Sequence, residues 1–183
     1  TFTLSTYVFP SVPTILYNTI YLNASIWADY DLDGDLDVVT MEREQNTPYN
    51  QYSAIYENQN GSYVVSPVVF AYNMQGQMMK VADMENDGDL DLMITNHDHD
   101  SQIFQNDGTG VYTDITAATG FYVSDITPIE SVMEDFDNDG FVDIFVTGSN
   151  SRFWRNNGNG TFTKIEGLFN NNAMESFAIG DAN

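Results

Sequence analysis

The chain has no cysteine, and of its 183 residues only 5 are lysine or arginine and 5 are proline. Without thiols there is no disulfide framework, no thiolate nucleophile and no cysteine-ligated metal. So few cations leave no basic stripe to displace counterions, so nucleic acid is not a partner. The absence of a polybasic segment argues equally against an anionic membrane surface. No apolar run approaches the roughly 18 residues of a membrane helix, which argues against direct membrane insertion. The opening TFTLSTYVFP lacks the charged and apolar regions of a signal peptide and an initiator Met, so the sequence reads as a mature or excised piece. Neither G-x-S-x-G nor H-E-x-x-H occurs, and no nucleophile and base converge. The expectation is therefore no catalytic residue and no enzyme.

What is plentiful is acid. Aspartate and glutamate number 27, for a formal net charge of −22. More than half of them lie in three short stretches and at Asp181, so the acidity is local ligand supply more than a solvated tail. A hydrophobic content of 42% and an aromatic content of 14% are ample for a packed core and exclude disorder.

The three stretches, ADYDLDGDLDVV, ADMENDGDLDLM and EDFDNDGFVDIF, repeat one pattern. Acids stand at positions one, three, five and nine around a glycine at position six. They are Asp29, Asp31, Asp33 and Asp37; Asp83, Glu85, Asp87 and Asp91; and Asp135, Asp137, Asp139 and Asp143. A hard cation that takes six to eight oxygens at about 2.3–2.6 Å collects them from alternate residues of such a turn, which points to Ca²⁺, about one per loop. Gly34, Gly88 and Gly140 permit the sharp bend. Position seven (Asp35, Asp89, Phe141) varies in chemistry, as expected if it offers only its backbone carbonyl. An EF-hand would need Glu at position twelve and flanking helices. That position holds Thr40, Ile94 and Val146, and the residues after each loop are β-branched and apolar. The loops therefore join strands.

The copies begin at Asp29, Asp83, Asp135 and, truncated, Asp181 with Asn183, so the repeat is about 50 residues long. After each loop come IYENQNGSYVV, IFQNDGTGVYT and FWRNNGNGTFT, each a strand, an Asn/Gly turn and a strand. One repeat thus reads as strand A, acidic loop, strand B, connector, strand C, tight turn and strand D: a four-stranded antiparallel blade. The B strands are apolar on consecutive residues, which requires cover on both faces. Blades stacked around an axis provide it. A parallel β-helix has shorter turns and lacks these hairpins.

On the D-x-D-x-D-G-x-x-D loop and the following N-N-G-x-G-x-F turn, the chain resembles the FG-GAP/VCBS-type repeats of integrin α-subunit propellers and of many secreted proteins. The resemblance covers nearly the whole chain and implies an all-β, seven-bladed β-propeller with calcium in the A–B loops, of which about three complete blades are present. The repeats run over about residues 24–77, 78–129 and 130–175 of one partial propeller, 1–183. Residues 1–3 are the last strand of a preceding blade and 176–183 the start of another. Further blades, from the same chain or a neighbouring subunit, are expected at both ends. Without them, B-strand residues such as Val38, Val39, Ile144 and Val146 are expected to be exposed at the ends of the row.

A–B loops and C–D turns share one face of such a blade, and the B–C and D–A connectors share the other. The second face varies among copies, and variable loops on a rigid scaffold are where a protein or glycan ligand is expected. Copy one inserts MEREQNTPYNQY as a long B–C loop, with Arg43, Glu44, Tyr49 and Tyr52 as contact candidates. Copy two inserts NHDHD, whose His97 and His99 are spaced for a transition metal but lack a third ligand, so a polar loop is the favoured reading. Arg152 and Arg155 beside Trp154 are read as balancing nearby acids, with anion or sugar binding as the alternative. The expected function is an extracellular, calcium-stabilised binding, adhesion or structural module, since such loops suit millimolar calcium. A lectin-like propeller, or the non-catalytic propeller of a polysaccharide-degrading enzyme, is the alternative. Sequons at Asn23, Asn60 and Asn159 are compatible with a secreted glycoprotein.

Overall fold

Consecutive apolar residues in a strand demand two covered faces, and the fold meets that demand by stacking sheets. The computed structural model describes residues 20–44, 51–70, 76–96, 100–123, 127–168 and 180. They form three antiparallel sheets of four strands, each a meander in chain order. The first blade holds β1 (Ile20–Ala28), β2 (Asp37–Glu44), β3 (Gln51–Gln59) and β4 (Ser62–Phe70). The second holds β5 (Gly76–Ala82), β6 (Asp91–Asn96), β7 (Gln102–Asn106) and β8 (Tyr112–Asp114). The third holds β9 (Pro128–Glu134), β10 (Asp143–Gly148), β11 (Arg152–Asn156) and β12 (Phe162–Ile165). Every residue of β6 and β10 is buried. The all-β blade architecture is as expected, including the four strands of the third copy.

Two apolar layers hold the blades together. Val39, Met41 and Ile55 of the first blade pack with Met79, Leu92, Ile94 and Phe104 of the second. Met84, Met93 and Ile103 of the second pack with Met133, Ile144, Val146 and Trp154 of the third. The connector between β8 and β9 adds to this second layer. It carries an unforeseen single-turn helix, α1 (Thr116–Thr119), ended by Gly120 with φ 74°. Phe121 follows and meets the Trp154 ring edge-on at 5.0 Å. Filling of this kind contributes about 1.5–3 kcal/mol per large apolar side chain.

Two expectations are corrected. Val38, Val39, Ile144 and Val146 are all buried. Alternation sends Val39, Ile144 and Val146 into the layers between blades, while Val38 packs with Ala54, Tyr56, Tyr63 and Val65. The copy-one insertion, expected as a loop, instead lengthens the β2–β3 ladder, which pairs Met41 with Ser53, Glu42 with Tyr52 and Arg43 with Gln51. Arg43, Glu44 and Tyr52 thus stand on strands, while Tyr49 lies outside the described residues. So do His97, His99, Asp181 and Asn183.

Position four of each acidic loop is left-handed: Leu32, Asn86 and Asn138 have φ of 59°, 60° and 57°. Asparagine adopts that region at lower cost than leucine. Leu32→Asn is therefore expected to stabilise the protein by about 1 kcal/mol, read from the midpoint of urea unfolding.

Candidate metal centres

Each acidic loop is closed by its own carboxylates. The position-six amide donates to the position-one aspartate: Gly34 to Asp29 at 3.0 Å, Gly88 to Asp83 at 2.9 Å and Gly140 to Asp135 at 2.9 Å. Position seven donates to the position-five carboxylate, as Asp35 does to Asp33, Asp89 to Asp87 and Phe141 to Asp139. With glycine at φ near 95° between them, these bonds curl each loop back on itself.

Position nine is the hub. In each copy one oxygen accepts the N–H of position two and the other accepts the N–H of an asparagine at the end of strand C. Asp37 takes Tyr30 at 3.0 Å and Asn58 at 2.7 Å. Asp91 takes Met84 at 3.0 Å and Asn106 at 2.9 Å. Asp143 takes Phe136 at 3.3 Å and Asn156 at 2.8 Å. All three aspartates are at most 1% exposed. Burial pushes the Asp37 and Asp143 carboxyls up, against the lowering by those same amides. It pushes Asp91 up to about 8, with the hydrogen bond to Glu85 adding to the rise.

The hub asparagine spans three elements, a role that the spacing alone had not disclosed. Its amide donates to the position-eight carbonyl of its own loop: Leu36, Leu90 and Val142 at 3.3, 3.3 and 3.1 Å. Its carbonyl oxygen accepts a C–D turn amide, from Gly61, Gly108 or Gly158. Asn106 and Asn156 also donate to the position-two carbonyl of the preceding blade, Tyr30 at 2.8 Å and Met84 at 3.0 Å. A further bond joins neighbouring loops directly, from Asn86 Nδ2 to Gly140 O at 2.6 Å. The C–D turn lies over the loop as expected; a Cβ on Gly158 would come within 2.7 Å of the Phe141 ring. The recurrence of Asn at the end of each strand C was the available signal.

Convergence differs among the loops. Oxygens of Asp29, Asp31 and Asp37, and of Asp135, Asp137 and Asp139, lie within 4.8 Å of one another. In the second loop no such trio forms among the described residues, and Glu85 turns to accept a hydrogen bond from Gln105. Asp29, Asp35 and Asp89 each bury a carboxylate oxygen that has no hydrogen-bond partner. Position seven thus has more to offer in loops one and two than a carbonyl. Asp89, only 6% exposed, is raised to about 6 by burial and then by the charge of Asp87. Partnerless buried oxygens and crowded carboxylates are unfavourable by themselves and fit an all-oxygen shell for a hard cation.

Arg155 takes the role of balancing acids, since its guanidinium bridges Asp137 and Asp139. The Phe141 amide first, and then Arg155, hold the Asp139 carboxyl below its ordinary range. Among the described residues no helix is long and apolar enough to cross a membrane.

Comparison with curated proteins found no match. A family model described as an FG-GAP-like repeat matches residues 29–94 and 135–183, well over half of the chain and including all three acidic loops complete. With three meander blades, each carrying the same acidic A–B loop locked to the same strand-C asparagine, the chain belongs to the FG-GAP-like repeat family.

Proposed function

We propose that the chain is a non-catalytic, calcium-stabilised propeller module of an extracellular protein, acting in binding, adhesion or structure. The observation that carries this reading is the triplicated loop, with its turn closed by backbone amides and its carboxylate oxygens left inward and partnerless at Asp29, Asp35 and Asp89. Asp29, Asp31, Asp33, Asp35 and Asp37 form the first shell; Asp83, Glu85, Asp87, Asp89 and Asp91 the second. Asp135, Asp137, Asp139 and Asp143, with the carbonyl of Phe141, form the third. Asp181 and Asn183 begin a fourth. Calcium, when bound, supplies charge neutralisation and a rigid crosslink between strands A and B. The chain's own amides orient the carboxylates, and the hub asparagines transmit that order from blade to blade.

Calcium-dependent rigidity of this kind suits the outside of a cell, where the ion is abundant. The opposite face, with its unequal B–C and D–A connectors, is the proposed place for a protein or glycan ligand. Further blades are proposed to complete the ring.

Calorimetric titration of the metal-stripped chain is expected to show calcium binding at about one ion per complete loop, with Mg²⁺ competing poorly because it demands a smaller octahedral shell. Absence of heat and of any calcium retention in equilibrium dialysis at millimolar calcium would sink the reading.

A further inference from the structure

We propose that the strand-C side chain just before each hub asparagine grades the cation demand of its loop, so that calcium affinity falls from loop one to loop three. The proposal rests on the calcium reading above and adds to it a regulation of the same sites.

The third loop carries its own cation. Arg155 Nε lies 2.7 Å from Asp137 Oδ2, and its terminal nitrogen lies 3.0 Å from Asp139 Oδ2. These are the acids at positions three and five, and a guanidinium fork on both supplies part of the positive charge that an ion would bring. In β7 the same place holds Gln105, a neutral donor, whose Nε2 donates to Glu85 at position three. In β3 it holds Glu57. The register is common to all three, since Glu57 pairs with Val64, Gln105 with Thr113 and Arg155 with Thr163 across the C–D hairpin. One structural position therefore presents an acid, an amide and a guanidinium in turn.

A second observation runs the same way. Buried carboxylate oxygens without a partner occur in loops one and two, at Asp29, Asp35 and Asp89, and none occurs in loop three among the described residues. The first loop is left most in need of a cation, and the third is the nearest to self-sufficient. The Arg155 side chain is 50% exposed, so water screens its effect. Coulomb's law at a few ångströms in a solvent-dominated medium gives about tenfold in divalent affinity per unit charge.

The test is loop-resolved calcium titration of the full chain by amide NMR, because Gly34, Gly88 and Gly140 each donate to the position-one acid of a different loop. Gly34 is expected to saturate before Gly140. Arg155→Gln is expected to move the Gly140 midpoint to about tenfold lower calcium while Gly34 stays put. Arg155→Lys, which keeps the charge, should retain most of the weak binding. Glu57→Gln should raise the Gly34 midpoint. Without calcium, Arg155→Gln should lower the melting temperature, opposite in sense to its effect on binding, since Asp137 and Asp139 lose their counter-ion. An unchanged Gly140 midpoint in Arg155→Gln, with all three loops still binding, overturns the grading and leaves the calcium reading intact. No response at any of the three glycines up to millimolar calcium overturns the calcium reading itself.

Discussion

Excess EDTA is expected to lower the melting temperature of the calcium-loaded protein by about 15 °C or more, with recovery on adding Ca²⁺ and little recovery on adding Mg²⁺. The size follows from linkage. An ion held only by the folded state at about 100 times its dissociation constant contributes about 2.7 kcal/mol, and three loops contribute about 8 kcal/mol together. For a chain of this length each kcal/mol moves the midpoint by about 2–4 °C. The metal-free loops add a penalty of their own: burial and neighbouring acids push Asp91 up to about 8 and Asp89 up to about 6. Differential scanning calorimetry in calcium and in chelator measures the difference. A melting temperature that ignores EDTA would mean that the carboxylates are satisfied without an ion.

The second large effect separates the hub from the rest of the shell. Asp37→Ala is expected to destabilise the protein by about 3 kcal/mol even in EDTA, because it strands the buried amide of Tyr30 and the half-buried amide of Asn58. Relief of the buried Asp37 carboxyl, which burial pushes up, offsets part of that loss. Asp33→Ala removes an exposed carboxylate whose bond from the Asp35 amide is exposed as well, so its effect should show in calcium and be small in EDTA. Urea unfolding of both variants in the two conditions gives the comparison. A loss for Asp37→Ala in EDTA as small as that for Asp33→Ala would show that position nine serves the ion alone.

The two experiments separate roles that one pattern of acids conceals. Positions one, three and five are spaced for a cation, and in loops two and three position one also anchors the N–H of position five, from Asp87 to Asp83 and from Asp139 to Asp135. Position nine is held by the loop amide of position two and by an amide of strand C, with no cation needed for either bond. Its aspartate can be a ligand and a structural fastener because each carboxylate oxygen has more than one lone pair.

Much of this was legible in the chain. A four-stranded blade follows from apolar runs separated by Asp/Gly and Asn/Gly turns, since turn chemistry and side-chain period are local properties. The loop register was legible for the same reason: glycine at position six is where the backbone needs φ near 95°, and the acids are counted from it. Position four was not, because Leu32 hides a left-handed residue that Asn86 and Asn138 would have advertised. The added length of β2 and β3 was not legible either. A polar insertion reads as loop until cross-strand pairing is known, and Arg43 opposite Gln51 is decided by the partner strand.

The sequence by itself determined the four strands of each blade, their order and the acids of the three loops, because each depends on neighbours within a few residues. Only the tertiary structure decided what those acids do besides face a cation. Asp91 and Asn106, or Asp143 and Asn156, meet through sheet pairing, and Asn156 reaches Met84 of another blade at 3.0 Å. Arg155 finds Asp137 and Asp139 by the same route. Contacts between residues so distant in the chain are set by register and blade packing, and these are satisfied by burying β6 and β10 on both faces at once.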